Sequence, residues 1–278
     1  MSGPKQIAAF FDIDGTLLSA PSLEWRFIGY LLWRGVLDPS NILRWFAFAG
    51  GSFRRGRRLA VEANKQYLAG LPVSLIADWA DALGIGSLSR NPLGILAAAL
   101  NRVRWHQSQN HRVFLVSGTL APLARQLANH LPGKVEVIAT ELEISKAKQL
   151  CVNSIATENK STATHAAADE IRYSPVWTGR LAGEHIVDAA KSRALQAVAT
   201  RNHLDLTNCY AYGNSRSDRA MLEVVGYPEA VNPSRCLEQL AMKRRWPVSR
   251  WLATDTTHVK AAVSGCARNP MQTEQSRV

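Results

Sequence analysis

Two aspartates, Asp12 and Asp14, stand two positions apart directly after a short apolar run, Ile7–Phe11. Such a run predicts a buried β-strand, and Gly15 and Thr16 predict a turn after it. The crevice beyond the carboxyl end of a parallel strand is where open α/β sheets bind ligands. An acidic pair there can hold a divalent cation, attack an electrophile and transfer protons. The spacing therefore predicts a catalytic pair, although an isolated Asp-x-Asp-Gly is also common as a polar turn.

Further polar residues follow apolar segments later in the chain. Ser117 and Gly118 end the run that starts at Val113, Lys191 stands near the start of a predicted helix, and Asn214 and Asp218 follow the run 209–213. Each has an ordinary explanation when taken alone: a serine caps a helix, and a helix lysine is a solvated surface charge. Their common position at the ends of apolar segments favours one shared site.

In this order, these residues resemble the four motifs of the haloacid dehalogenase superfamily, whose members are mostly magnesium-dependent phosphatases that form an aspartyl-phosphate. The resemblance covers roughly residues 5–248. It implies that Asp12 is the nucleophile and Asp14 the general acid and base. It also implies a phosphate site formed by Ser117, Gly118 and Lys191, and an Mg²⁺ site formed by Asp12, Asp14, Asn214 and Asp218.

Two positions depart from the family pattern. The family usually has an aspartate where this chain has Asn214, so weaker Mg²⁺ binding is expected. Phosphoserine phosphatases have a glutamate nine residues after the nucleophile, where this chain has Pro21, and the nearest carboxylate is Glu24. Phosphoserine is therefore a less favoured substrate than the family likeness suggests.

The segment between the first two motifs is long enough for an inserted domain, and its helical sequence resembles subclass IB, the phosphoserine phosphatase-like group. We therefore expect an α/β fold: a Rossmann-like, three-layer core with a mostly parallel sheet and an inserted helical cap of the C1 type. The predicted division is a core from residues 1–20 and 91–250, a cap from 21–90, and a flexible tail from 251–278. Residues 145–175 are predicted to be a polar surface insertion. Within the cap, helices are expected over 23–37, from Pro39 to Gly50-Gly51, through Tyr67 and around Val73–Leu83.

Positive charge is concentrated in the predicted cap. The chain of 278 residues has a net charge of +11, and residues 22–68 carry eight Lys or Arg against three acidic residues. The same stretch is rich in Trp and Phe. One interpretation is a packed helix pair with a solvated basic turn; another is a surface that contacts anionic lipid headgroups. Nucleic acid is not an expected partner, because no base-reading motif is present.

The cysteines, the histidines and the N-terminal sequence bear on metal binding and on the cellular compartment of the protein. The four cysteines show no CxxC spacing, and no two of the seven histidines are spaced as helix ligands, so neither disulfides nor zinc are expected. The N-terminus has no signal-peptide core, which favours a cytoplasmic protein, soluble or peripheral at the inner membrane surface. The sequence predicts a phosphatase acting on a small metabolite or a lipid headgroup phosphate. The alternative is a non-catalytic relative that binds phosphate or anionic lipid. The oligomeric state is not predicted.

Overall fold

A computed structural model describes residues 6–37, 39–54, 64–84, 91–149 and 172–252. Its strands are β1 (Ala8–Phe11), β2 (Arg112–Leu120), β3 (Val135–Thr140), β4 (Leu142–Gln149), β5 (Arg172–Leu181), β6 (Tyr210–Gly213), β7 (Tyr227–Val231) and β8 (Val248–Ser249). Its helices are α1 (Leu23–Trp33), α2 (Pro39–Arg54), α3 (Leu75–Leu83), α4 (Ala97–Ser108), α5 (Ala121–His130), α6 (Ala189–Asn202), α7 (Arg219–Leu222) and α8 (Arg235–Arg244).

The main sheet has six parallel strands in the order β3-β2-β1-β6-β7-β8. The chain crosses from β1 to one side through β2 and β3, and to the other side through β6, β7 and β8. The strand order thus reverses around β1, and in open α/β sheets the ligand crevice lies at such a point. The predicted α/β fold with a mostly parallel sheet is confirmed.

Side chains of the central strand alternate between two apolar layers. Ala9 and Phe11 pack into the layer that includes α1, whereas Ala8 and Phe10 pack into the layer that includes α6 and α8. This alternation is the two-residue period of a strand with both faces covered. Both layers therefore hold β1 in place, and its carboxyl end presents the acidic pair.

The helical segment, residues 21–84, differs from its predicted outline at three places. Helix α1 ends at Trp33, four residues before the expected end at residue 37. Helix α2 continues past the glycine pair at positions 50 and 51 to Arg54, because a glycine inside a helix costs only about 1 kcal/mol. At Gln66–Leu68 the chain forms one turn of 3₁₀ helix in place of the expected α-helix. No helix in the described ranges combines the length and apolar character that a membrane crossing requires.

Strands β4 and β5 form a separate antiparallel hairpin, and they include the two ends of the predicted surface insertion, 145–149 and 172–175. The hairpin binds the helical segment through backbone hydrogen bonds. Gly70 N–H donates to the Trp177 carbonyl at 2.8 Å, Trp177 N–H donates to the Leu71 carbonyl at 3.0 Å, and Val73 N–H donates to the Pro175 carbonyl at 3.0 Å. Residues 150–171 lie outside the described ranges.

The described chain ends at Leu252, so most of the predicted tail, 253–278, lies outside the described ranges. Trp251, within that predicted tail, is buried and lies 5.8 Å from the ring of Tyr212. The backbone N–H of Trp251 donates to Oδ1 of Asn232 at 2.7 Å. The folded part therefore extends at least through Trp251. The division into core, cap and tail stays a prediction.

Candidate active site

A buried triad of charges occupies the carboxyl end of the sheet. Lys191, 1% exposed in the first turn of α6, places Nζ 2.6 Å from Oδ1 of Asp12 and 2.5 Å from Oδ1 of Asp218. Asp12 follows β1 and Asp218 follows β6, neighbouring strands in the sheet. Three predicted site residues that are far apart in sequence are thus brought together.

Burial and charge oppose each other in this triad. Burial raises the pKa of Asp12 to about 7, with a further contribution from Asp218, and Lys191 offsets only part of that rise. Burial alone would lower the pKa of Lys191, but the two carboxylates outweigh it and leave the pKa raised. The lysine therefore stays charged and stabilises negative charge on its neighbours.

Asp14 is held by two donors. Its Oδ1 accepts from the Leu23 N–H at 2.7 Å, and its Oδ2 accepts from the Thr119 hydroxyl at 3.1 Å. Leu23 begins α1, where backbone N–H groups have no helical partner. Burial raises the pKa of Asp14, although both hydrogen bonds act against the rise. A carboxyl with a raised pKa suits proton transfer near neutral pH.

Two glycines allow close packing around the loop after β6, one against the loop after β1 and one within the β6 loop itself. Gly15 has a φ of +87°, and a Cβ there would lie 1.9 Å from Nδ2 of Asn214. A Cβ on Gly213 would lie 2.5 Å from Cβ of Asp218. Both positions therefore need glycine, and Asn214 packs directly on the turn that carries the acidic pair.

Asp218 uses both carboxylate oxygens within the protein. Its Oδ1 pairs with Lys191, whereas its Oδ2 accepts from the N–H groups of Asn214 (3.0 Å) and Ser215 (2.8 Å) and from the Ser215 hydroxyl (2.8 Å). These bonds fix the loop that presents Asn214.

The end of β2 provides a hydroxyl and closely packed backbone. Ser117 is 3% exposed, and its Oγ accepts from the Thr119 N–H at 3.1 Å. A Cβ on Gly118 would lie 2.7 Å from Cγ1 of Val187, so the chain before α6 packs against this glycine. The hydroxyl and backbone at this strand end suit the binding of phosphate oxygens.

Sequence reasoning assigned no role to several residues around the acidic pair. Thr119 follows Ser117 and Gly118 directly, and its hydroxyl could have indicated a role in the site. His185 stands before α6 with no surrounding pattern. Lys65 and Tyr67 both bind Glu24, although more than forty residues separate them from it in the chain. Such a contact between distant segments gives no local sequence signal.

The donor atoms of the site suit a hard divalent cation. Mg²⁺ prefers oxygen ligands, and the site offers the Asp12 carboxylate, the Asp14 backbone and the Asn214 amide. Within the described ranges, no cluster of three or more His, Cys, Asp or Glu side chains is placed to hold a metal. A magnesium site here would therefore use amide and backbone oxygens beside Asp12.

Comparisons with known proteins agree with this geometry. A model of the haloacid dehalogenase-like hydrolase family matches residues 9–174 and 152–223. A probable phosphatase of Mycobacterium tuberculosis is 25% identical and is matched over 87% of this chain and 74% of its own length. A phosphoserine phosphatase of the same organism is 40% identical over 73 residues, 26% of this chain. Several curated relatives are matched over only 21–24% of their own length.

A solved structure shares the fold. The crystal structure of a protein of unknown function from Bordetella pertussis superposes with a TM-score of 0.65 at 22% identity, covering 90% of this chain and 100% of that one. The chain belongs to the haloacid dehalogenase-like hydrolase family, because the family model covers well over half of it. The family resemblance predicted from the motifs is confirmed.

Proposed function

We propose that this protein is an Mg²⁺-dependent phosphatase that hydrolyses a phosphomonoester through an aspartyl-phosphate on Asp12. The observation that carries the proposal is the buried triad of Asp12, Lys191 and Asp218, with Asp14 two residues after Asp12 in the chain. A phosphomonoester carries about two negative charges, so an anionic nucleophile needs cationic groups to approach it. Lys191 supplies one such group at the nucleophile itself.

The proposed chemistry has two displacements. In the first, an Asp12 carboxylate oxygen attacks phosphorus, the bond to the leaving oxygen breaks, and Asp14 donates a proton to that oxygen. In the second, Asp14 takes a proton from water, the water oxygen attacks phosphorus, and inorganic phosphate leaves with Asp12 regenerated. Ser117, the Gly118 backbone and Lys191 bind the phosphate oxygens, where charge collects in the transition state.

For the metal we propose Asp12, the Asp14 backbone carbonyl and Asn214 as direct ligands. When bound, Mg²⁺ would reduce the repulsion between nucleophile and substrate. Asp218 stays a proposed further ligand, and its oxygens accept hydrogen bonds within the protein as those of Asp12 do. Through these bonds Asp218 also positions Lys191 and the loop that carries Asn214.

Hydrolysis of p-nitrophenyl phosphate tests the proposal. Magnesium should stimulate release of p-nitrophenol by the purified protein, and Asp12→Asn should lower it on the order of 10⁴-fold or more, because the nucleophile is lost. An Asp12→Asn protein as active as the unmodified one would refute the aspartyl-phosphate. A folded protein that hydrolyses nothing in a broad phosphoester panel would favour the alternative, a non-catalytic binder of phosphate or anionic lipid.

A lipid surface is the second proposed ligand class, and the exposed face of the first two helices favours it. This outer face consists of the large apolar side chains Trp25 (61% exposed), Leu32 (55%), Trp33 (78%), Leu43 (70%) and Phe46 (60%). Arg34 and Arg44 are exposed beside them. Aromatic and apolar groups next to arginines suit the interface of an anionic bilayer. We propose peripheral membrane contact through this face, with a lipid headgroup phosphate among the candidate substrates.

A further inference from the structure

A largely buried ion pair joins the start of α1 to the 3₁₀ turn of the helical segment. Nζ of Lys65 lies 2.7 Å from both carboxylate oxygens of Glu24, and the Tyr67 hydroxyl donates to Oε1 of Glu24 at 2.7 Å. Lys65 is 4% exposed and Tyr67 is 6% exposed, so these contacts are shielded from water. The three residues, here called the Glu24 cluster, have no role in the chemistry proposed above.

The burial of this ion pair needs a reason. Moving two charges out of water costs free energy that their mutual attraction often only offsets, so a buried pair adds little to the overall stability of a fold. The best-supported role of such a pair is to fix the register of one element against another. Here the element is α1.

The first turn of α1 also binds the proposed general acid. The Leu23 N–H donates to Oδ1 of Asp14 at 2.7 Å, and Ser22 caps the helix by accepting from the Trp25 N–H at 3.3 Å. Leu23 is joined to Glu24 by one planar peptide bond, so the two residues move together. Fixing the Glu24 carboxylate therefore fixes the donor that holds Asp14.

The turn that carries the other two members of the cluster is anchored to two further elements. Asn41 on α2 donates from Nδ2 to the Tyr67 carbonyl at 3.2 Å, and Gln66 donates from Nε2 to the Gly179 carbonyl of β5 at 3.0 Å. Residues 65–67 thus present their donors from a fixed position. The start of α1 is aligned against this position through Glu24.

From these contacts we infer that the Glu24 cluster positions the general acid: it holds the first turn of α1 so that the Leu23 N–H orients the Asp14 carboxyl toward the leaving group. The inference rests on the proposed phosphatase function and adds three positioning residues that lie outside the four motifs. The Glu24 carboxylate is occupied by its own partners, so it acts through Leu23 and not on the substrate.

Phenyl phosphates with leaving groups of different acidity test the inference. The p-nitrophenolate ion is stable and leaves without a proton, whereas phenolate, whose conjugate acid has a pKa of about 10 as in tyrosine, gains more from protonation by Asp14. Because the leaving group is released before inorganic phosphate, kcat/KM reports only the first displacement. The ratio of kcat/KM for phenyl phosphate to that for p-nitrophenyl phosphate therefore measures the acid step.

Substitutions in the cluster should lower this ratio. Glu24→Gln keeps the shape of the side chain but leaves Lys65 without its anion, and the ratio should fall about tenfold, a part of what a general acid contributes. Tyr67→Phe removes one hydroxyl, and this milder change should lower the ratio several-fold even if Glu24→Gln fails to fold. Thr119→Val, which removes the other donor to Asp14, should reproduce the effect.

The matched control is Glu136→Gln. Glu136 also accepts from a cation through both carboxylate oxygens, but its partner is Arg112 at the start of β2, the strand end opposite the site. This change should leave the ratio as it is. Lys65→Met should lower the ratio as Glu24→Gln does, and Lys65→Arg, which keeps the cation, should restore most of it.

Three kinetic results would overturn the inference. Equal losses for both substrates would show a general disturbance of the fold, and an unchanged ratio in both Glu24→Gln and Tyr67→Phe would show that the acid step does not depend on the cluster. A raised KM with an unchanged ratio would make Glu24 a substrate contact. In each case magnesium-dependent hydrolysis that Asp12→Asn abolishes would leave the phosphatase proposal standing.

Amide exchange at Leu23 tests the same inference without turnover. The Leu23 N–H is held by Asp14, so NMR in deuterium oxide should show slow exchange, and Glu24→Gln or Tyr67→Phe should accelerate it several-fold, unlike Glu136→Gln. If these differences appear in a protein that hydrolyses no phosphoester, the phosphatase proposal fails and the positioning of Asp14 stands. If exchange at Leu23 is unchanged in both variants, the inference fails whatever the activity.

Discussion

The strand-end site and the outer face of the first two helices reverse the usual distribution of polar and apolar groups. In the site, Lys191, Asp12 and Asp218 are almost fully buried, although charged groups are normally exposed. On the outer face, Trp25 and Trp33 are mostly exposed, although large aromatic groups are normally covered. Both arrangements are unfavourable for an isolated folded chain, and each becomes favourable with a ligand of suitable chemistry.

The two regions nevertheless differ in how strongly the fold depends on them. The charges of the site compensate each other through short hydrogen bonds, so removing one leaves its partners buried without compensation. The aromatic groups of the outer face contact solvent, so replacing one removes little packing. Stability measurements should therefore separate the regions sharply, and binding measurements should show what each region recognises.

Lys191→Met should have the largest effect. It leaves Asp12 and Asp218 buried without their shared cation, and loss of one member of a buried ion pair costs about 3–5 kcal/mol of the free energy of unfolding. Urea denaturation at neutral pH measures the change.

The matched control is Arg193→Met on the same helix, because Arg193 is exposed and pairs with the exposed Glu184. That change should cost about 1 kcal/mol or less. Equal costs at the two positions would show that the triad is not the buried cluster described above.

The residues of the strand-end site could largely be predicted from the sequence. Asp12 follows β1, Ser117 lies near the end of β2, Asp218 lies in the turn after β6, and Lys191 lies in the first turn of α6. Parallel strands bring their carboxyl ends to one edge, so local patterns were enough to group these residues. Thr119 could also have been found, because its hydroxyl stands in the same motif as Ser117.

The contacts of the helical segment could not be predicted in this way. The bond between Lys65 and Glu24 depends on how α1 packs beside the 3₁₀ turn, and no periodic pattern encodes that packing. The same holds for the hairpin, whose place is fixed by backbone bonds between Gly70 or Val73 and β5. Burial of Trp251 likewise depends on a tertiary contact with the ring of Tyr212.

Protonation of His106, a buried residue on α4, should make the folded state less stable in acid. Its Nε2 lies 2.8 Å from the Tyr212 hydroxyl and its Nδ1 lies 2.9 Å from Nδ1 of His111, with Arg102 nearby. Burial, followed by His111 and Arg102, lowers the pKa of His106 from 6.5 to about 3. The unfolded chain therefore binds the proton more readily, and stability is lost as the pH falls below 6.5.

The expected loss from this residue is about 1.4 kcal/mol between pH 7.5 and 5.5. Denaturation curves at the two pH values measure it, and His106→Gln should reduce the difference. The lowered pKa of His111 acts in the same direction as that of His106, whereas the raised pKa values of Asp12 and Asp14 act in the opposite direction over this range, so only the difference between the unmodified protein and His106→Gln isolates the contribution of His106. A pH dependence that His106→Gln leaves unchanged would contradict a neutral, buried His106.

Asn214→Asp tests the site without disturbing its packing. The new carboxylate adds a charged oxygen where the amide stands, so the magnesium concentration for half-maximal activity should fall several-fold. Titration of p-nitrophenyl phosphate hydrolysis with magnesium measures the change, and Asn208→Asp, an exposed position before β6, serves as the control. Unchanged or weaker magnesium dependence in Asn214→Asp would argue against Asn214 as a metal ligand.

Substitutions on the outer face should have the smallest effect on the free energy of unfolding and a clear effect on vesicle binding. The double change Trp33→Ser and Phe46→Ser removes two exposed groups, so the free energy of unfolding should stay within about 0.5 kcal/mol. Co-sedimentation with phosphatidylglycerol vesicles should fall several-fold, because the aromatic groups that enter the interface are gone. Vesicles of phosphatidylcholine alone should bind the unmodified protein weakly, and salt should weaken binding to the anionic vesicles.

Met242→Ser is the matched control, because Met242 is 68% exposed on α8, which packs in the other apolar layer. It should leave vesicle binding unchanged if the effect belongs to the outer face and not to exposed apolar groups in general. An unmodified protein that does not bind anionic vesicles would remove the membrane proposal. The exposed aromatic groups would then need another partner, whereas the buried triad and its chemistry would be unaffected, because the two regions do not share the residues on which each proposal depends.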